Sequence, residues 1–85
     1  MEYKFHHVAI VVENLAKKTD WYSQLYGAKK IGTIFTDKSQ FVKVQFIKVN
    51  DLMIELLEPL DNDSPVCTFL DNHGSGGIYH IAFEV

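Results

Sequence analysis

The chain has 85 residues, enough for one small domain with a marginal core. Its 47% apolar and 22% charged residues exclude a disordered chain, and a formal charge of −3 with scattered lysines excludes the basic footprint of a nucleic-acid binder. Apolar runs no longer than a strand, and an N-terminus (MEYKFHH) without the pattern of a signal peptide, exclude a membrane span and lead us to expect a cytoplasmic protein.

Residues 5–12 (FHHVAIVV) are rich in β-branched side chains and short, which predicts a strand buried on at least one face. Asn14 can cap a helix in which Leu15, Trp21, Tyr22, Leu25 and Tyr26 recur at helical spacing, and Gly27 supplies a left-handed stop. Residues 29–35, 41–49 and 52–58 read as three further strands forming an antiparallel meander, divided by the polar stretch 36–39 and by a tight Asn50-Asp51 turn. A loop over 61–65 leads into a second helix, with Ser64 as its cap and Pro65 at its first position, ended by Gly74. The flexible 74–77 linker then precedes a last strand, 78–85 (IYHIAFEV). Cys67 cannot form an internal disulfide; beside Val66 and Phe69 it reads as a packed thiol with no chemical role.

The last strand repeats the first. Aligned without gaps, FHHVAIVV and IYHIAFEV match at His, Ala and the closing Val, the mark of a duplicated unit whose second copy stops after one strand. Alternation puts His7, Ala9 and Val11 on one face of the first strand and His6, Val8, Ile10 and Val12 on the other, helix-packing face. His80, Ala82 and Glu84 share a face of the last strand. Each alanine, two residues beyond a histidine, is expected to leave space above the sheet for a ligand.

In the fourth strand Glu55 stands between large apolar neighbours, where an unpaired carboxylate is costly and demands a cation or a donor. On one curved sheet His7, Glu55 and His80 can converge as a two-histidine, one-carboxylate set. That set suits Zn, Mn, Co, Ni or Fe and leaves positions open for substrate or water. The alternatives are a hydrogen-bonded core or surface histidine and a solvent-facing Glu55 on an edge strand. His6 points to the apolar face and His73 falls at a helix C-terminus, where a cation is favourable without being a ligand.

The texts FHHVAIVVENL, Trp21-Tyr22-Ser23-Gln24-Leu25-Tyr26-Gly27, Ile54-Glu55-Leu56-Leu57-Glu58-Pro59-Leu60, Asp63-Ser64-Pro65, Phe69-Leu70 and Gly77-Ile78-Tyr79-His80-Ile81-Ala82-Phe83-Glu84-Val85 span nearly the whole chain. They resemble the vicinal-oxygen-chelate superfamily of glyoxalases, dioxygenases and bleomycin-resistance proteins, and within it the methylmalonyl-CoA epimerases. The resemblance implies an α+β fold. It divides the chain into a complete βαβββ module (1–60), a helix with a Gly-rich linker (61–77) and the first strand of an incomplete second module (78–85). It also implies that His7, Glu55 and His80 bind a divalent metal; the family's fourth ligand, a glutamate, comes from the last strand of the second module, which these 85 residues do not include. The family's carboxylate base would fall on Phe41-Val42-Lys43-Val44-Gln45-Phe46, which contains no acid, and Gln45 cannot act as a base. No catalytic residue is therefore assigned.

Three functions are compatible with this reading: an epimerase-like or lyase-like metal enzyme acting on a small acyl-CoA thioester or α-oxo compound, a non-catalytic small-molecule-binding module of the resistance type, and an inactive remnant. In each a homodimer is expected, one form of it exchanging the final strand between subunits, because the last strand lacks the rest of its module.

Overall fold

The protein is described by a computed structural model, which covers the backbone of residues 4–61, 64–74 and 77–84 and the side chains of 7–61, 64, 66–68, 70–72 and 74. The elements run β1 (Lys4–Val11), α1 (Leu15–Tyr26), β2 (Lys29–Asp37), β3 (Val42–Val49), β4 (Leu52–Pro59), α2 (Pro65–His73) and β5 (Gly77–Glu84). The strands make one five-stranded sheet in the order β2-β3-β4-β1-β5. The β2-β3-β4 meander is antiparallel, β4 runs parallel to β1, and β5 is antiparallel to β1. This is the expected α+β arrangement, with the last strand incorporated in the same sheet as the first.

Local chemistry sets the boundaries. Asn14 adopts an extended backbone and its side chain accepts the Lys17 amide at 3.0 Å; Gly27, at φ 67°, ends α1 by donating its N–H to the Ser23 carbonyl. The orphan amide of Leu15 finds a partner far along the chain, donating to Glu58 Oε1 at 2.7 Å. Asn50 turns the β3-β4 hairpin at φ 52°. Phe41 also has φ 52°, so the third strand starts one residue later than the apolar pattern suggests. Ser64 caps α2, accepting from the Val66 amide and donating to the Gln40 carbonyl at 2.7 Å, which ties the helix to the β2-β3 turn. Asn62, Asp63, Ser75 and Gly76 of the predicted loop and linker lie outside the described residues.

Each face of the sheet carries its own core. Under α1 lie Ile10, Val12, Leu15, Ala28, Ile47, Ile54 and Leu56. Under α2 lie Ala9, Val11, Val42, Val44, Leu57 and Val66, with Leu70 packed against them. From Ala9 to Val11 β1 is buried on both faces, and that stretch of its text is continuously apolar rather than alternating.

The helical periodicity of α1 overstates its buried face. Leu15 and Thr19 are buried and Tyr22 is half-buried, whereas Trp21, Leu25 and Tyr26 are exposed. Residues 15, 19 and 22 form the stripe over the sheet, Trp21 and Leu25 sit on its flank, and Tyr26 is the last residue of the helix. Burial, and then the neighbouring Tyr26, push the Tyr22 hydroxyl pKa up.

Candidate metal and ligand site

Sheet register brings the candidate residues together. Glu55 stands opposite Ala9, Ala9 opposite the backbone of His80, and Phe46 opposite Glu55, so residues from β3, β4, β1 and β5 form one row across the sheet. His7 lies two residues before Ala9 on the same face of β1. Its Nε2 comes within 3.4 Å of Glu55 Oε1, and the two side chains are 14% and 16% exposed. The ring of Phe46 meets the His7 imidazole edge-on, with centroids 5.8 Å apart.

This distance has chemical content. Two donors about 2.1 Å from a shared ion, at a tetrahedral angle, stand about 3.4 Å apart. The separation of the pair therefore matches two positions of a tetrahedral divalent ion, and an imidazole with a carboxylate is the donor chemistry that borderline metals take. The side chain of His80, and those of His6 and His73, lie outside the described residues. Among the described residues no group of three or more His, Cys, Asp or Glu is gathered for a metal.

α2 covers this face unevenly. Val66 and Leu70 pack over the end bearing Val11, Val42, Val44 and Leu57, while His7, Phe46 and Met53 at the other end remain half-buried. Ala9, expected to leave space for a ligand, is instead fully buried in the α2 cluster, because the side chains around it close over its small methyl. Room for a ligand lies further along, over β3 and β2.

β3 presents Val42, Val44 and Phe46 to this face and no acid. Gln45 points to the opposite face. Its amide donates to the carbonyls of Phe46 (2.8 Å) and Gly32 (3.3 Å), bracing the bulge where β2 departs from regular pairing between Ile31 and Phe35. Gly32 holds φ 72° in that bulge.

The IELLE text carries two carboxylates of different duty. Three residues apart on a strand they must point to opposite faces. Glu55 meets His7, while Glu58 holds the start of α1 and lies 4.0 Å from Lys43 Nζ. Sequence reasoning missed Phe46 and Met53 as neighbours of the site. The signal was available in the Asn50-Asp51 hairpin, which sets Phe46 opposite Glu55 and Met53 two residues before it on β4.

The sequence model of the Glyoxalase/Bleomycin resistance protein/Dioxygenase superfamily matches residues 6–85. The chain belongs to that superfamily. Among superfamily members it is similar to the mitochondrial methylmalonyl-CoA epimerase of Mus musculus, with 33% identity over 82 residues that make up 96% of this chain and 46% of the relative. A hypothetical protein of Bacillus halodurans superposes with a TM-score of 0.89 at 34% identity, covering 100% of this chain and 60% of that one. Streptomyces coelicolor methylmalonyl-CoA epimerase, solved in complex with 2-nitronate-propionyl-CoA, superposes with a TM-score of 0.84 at 29% identity, over 94% of this chain and 58% of that one. The chain thus spans about half the length of the curated relatives it matches. No helix among its described residues is long and apolar enough to cross a membrane.

Proposed function

We propose that the chain is the metal-carrying part of an epimerase-like enzyme of this superfamily that acts on a small acyl-CoA thioester, with His7, Glu55 and His80 as ligands of a divalent Zn, Mn, Co, Ni or Fe ion. The observation that carries the reading is the partly buried His7–Glu55 pair at 3.4 Å, with Glu55 in the same row as Ala9 and the backbone of His80. Residues 1–60 act as the first module, 61–77 as the connection, and 78–85 as the opening strand of a second module. When bound, a divalent ion supplies Lewis-acid charge against the negative charge that develops as a proton leaves carbon next to a thioester. His7 and Glu55 hold and orient it, and Phe46 shields one side of the imidazole from water. A lyase-like reaction on an α-oxo compound would use the same two donors.

A second reading, a non-catalytic binding module, is favoured by one specific observation. Among the described residues β3 offers this face no carboxylate or imidazole to move a proton. In either case we propose a homodimer, with the second copy placed against or exchanged with β5, one of the two edge strands of the sheet. A monomer by light scattering at micromolar concentration removes that part.

The test combines elemental analysis with isotope exchange. Purified protein incubated with Zn, Mn, Co and Ni is expected to retain metal, and His7→Ala to lower its metal affinity at least ~10-fold. Uptake of deuterium at the acidic carbon of methylmalonyl-CoA in heavy water, above the buffer rate, supports the enzyme. Ligand binding without exchange supports the binding module, and absence of metal from the parent protein ends the metal-enzyme reading.

A further inference from the structure

We infer that Lys29 and Lys48 form an anion subsite for the phosphate-bearing tail of the ligand whose reacting end lies at His7 and Glu55. The inference rests on the reading above and adds to it the far end of the ligand. Lys29 and Lys48 are directly opposed on β2 and β3, and with Gly27, Ile31 and Asn50 they line a cavity of about 300 Å³. Like charges directly opposite on antiparallel strands disfavour the pairing unless something lies between them. Among the described residues neither lysine has a carboxylate within ion-pair distance. The C-terminal dipole of α1, at Gly27, amounts to about half a charge and leaves the pair net positive.

Register connects this cavity to the metal and ligand site. Lys29 pairs with Lys48, and Lys48 with Met53. Val8 stands opposite Ile54, so His7, one residue back, stands abreast of Met53. All four lie in one row on one face. At a strand spacing of about 4.8 Å, Lys48 is about 10 Å and Lys29 about 14 Å from His7 along that row. The neighbouring row runs Ile31, Phe46, Glu55, and supplies an apolar floor between the two ends. An elongated molecule matches this order: a head that engages His7 and Glu55, a middle that lies on Phe46 and Ile31, and a phosphorylated tail between the lysines.

The test uses the full chain, stripped of metal with chelator, titrated with coenzyme A, pantetheine and inorganic pyrophosphate by calorimetry. Both lysines are exposed, so Lys29→Gln/Lys48→Gln should fold, with a thermal midpoint no lower than the parent's. We expect the parent to bind coenzyme A roughly tenfold more tightly than pantetheine, with that advantage falling as salt is raised. The advantage should vanish in the Gln double variant and persist in Lys29→Arg/Lys48→Arg. Equal coenzyme A affinity in the parent and the Gln variant overturns the subsite. Pyrophosphate binding as tightly as coenzyme A overturns the tail assignment in favour of a free-anion site. Loss of metal retention in His7→Ala tests the other end separately: a parent that retains no metal but binds coenzyme A through the lysines defeats the proposed function and leaves the subsite standing.

Discussion

The two faces of this sheet use the same strands for different ends. On the α1 face, Ile10, Ile47, Ile54 and Leu56 are buried and the polar groups there serve the fold: Glu58 accepts the first amide of α1, and Gln45 braces a bulge. On the α2 face, the helix covers one end, and the other holds a histidine, a carboxylate and an aromatic ring in contact. Glu55 and Glu58 differ by three positions in one strand, yet one meets an imidazole and the other a helix terminus. The side of the sheet, more than the residue type, decides what a carboxylate does here.

Truncating the closed face is expected to produce the largest effect on stability. Leu56→Ala removes a fully buried side chain from the α1 cluster and should cost about 2 to 5 kcal/mol, read from chemical denaturation, while folded protein keeps the parent's metal content. If metal content falls in step with burial on the α1 face, the separation of the two faces is broken.

A smaller effect is expected at Glu58, which bridges strand and helix. Glu58→Gln keeps an oxygen for the Leu15 amide but removes the negative charge at the N-terminus of α1, at a cost of about 0.5 to 1 kcal/mol. The same exchange at Glu55 should leave stability near the parent's and lower metal affinity. That crossed outcome, measured by thermal melts and elemental analysis on both variants, sharpens the comparison.

The smallest effect lies at the β2-β3 turn, away from both cores. The Ser39 hydroxyl, donating to Asp37 Oδ1 at 2.6 Å, and secondarily the backbone amides of Ser39 and Gln40, hold the Asp37 carboxyl below its ordinary pKa. A depressed folded-state value means that the contribution to stability is present above the unfolded-state pKa and lost as pH falls through the folded one. Ser39→Ala should move the Asp37 titration, followed by NMR, upward toward its ordinary value and leave both faces unchanged.

Much of this was legible in the chain itself. The caps at Asn14, Gly27 and Ser64, the Asn50 turn and the strand alternation are local signals, and each element forms where they place it to within two residues. The meeting of His7 with Glu55 was expected from parity on one curved sheet, and the parallel pairing of β1 with β4 brings it about. His80 could be followed to its register opposite Ala9 and no further, since its side chain lies outside the described residues.

Other features depended on contacts across the sheet. Nothing in the text says that Glu58 reaches a helix 43 positions earlier, that Ala9 is roofed over instead of open, or that Trp21, Leu25 and Tyr26 stay exposed on a helix whose spacing suggests a broad apolar stripe. Nor does it put Lys29 and Lys48 in the row of His7, because that placement needs the register of three strand pairs at once. Local chemistry fixes which backbone conformation a segment takes, since caps, turns and alternation act over a few residues. Which side chains become neighbours is decided when strands distant in the chain lock into one register, where a shift of a single residue would send every group to the other face.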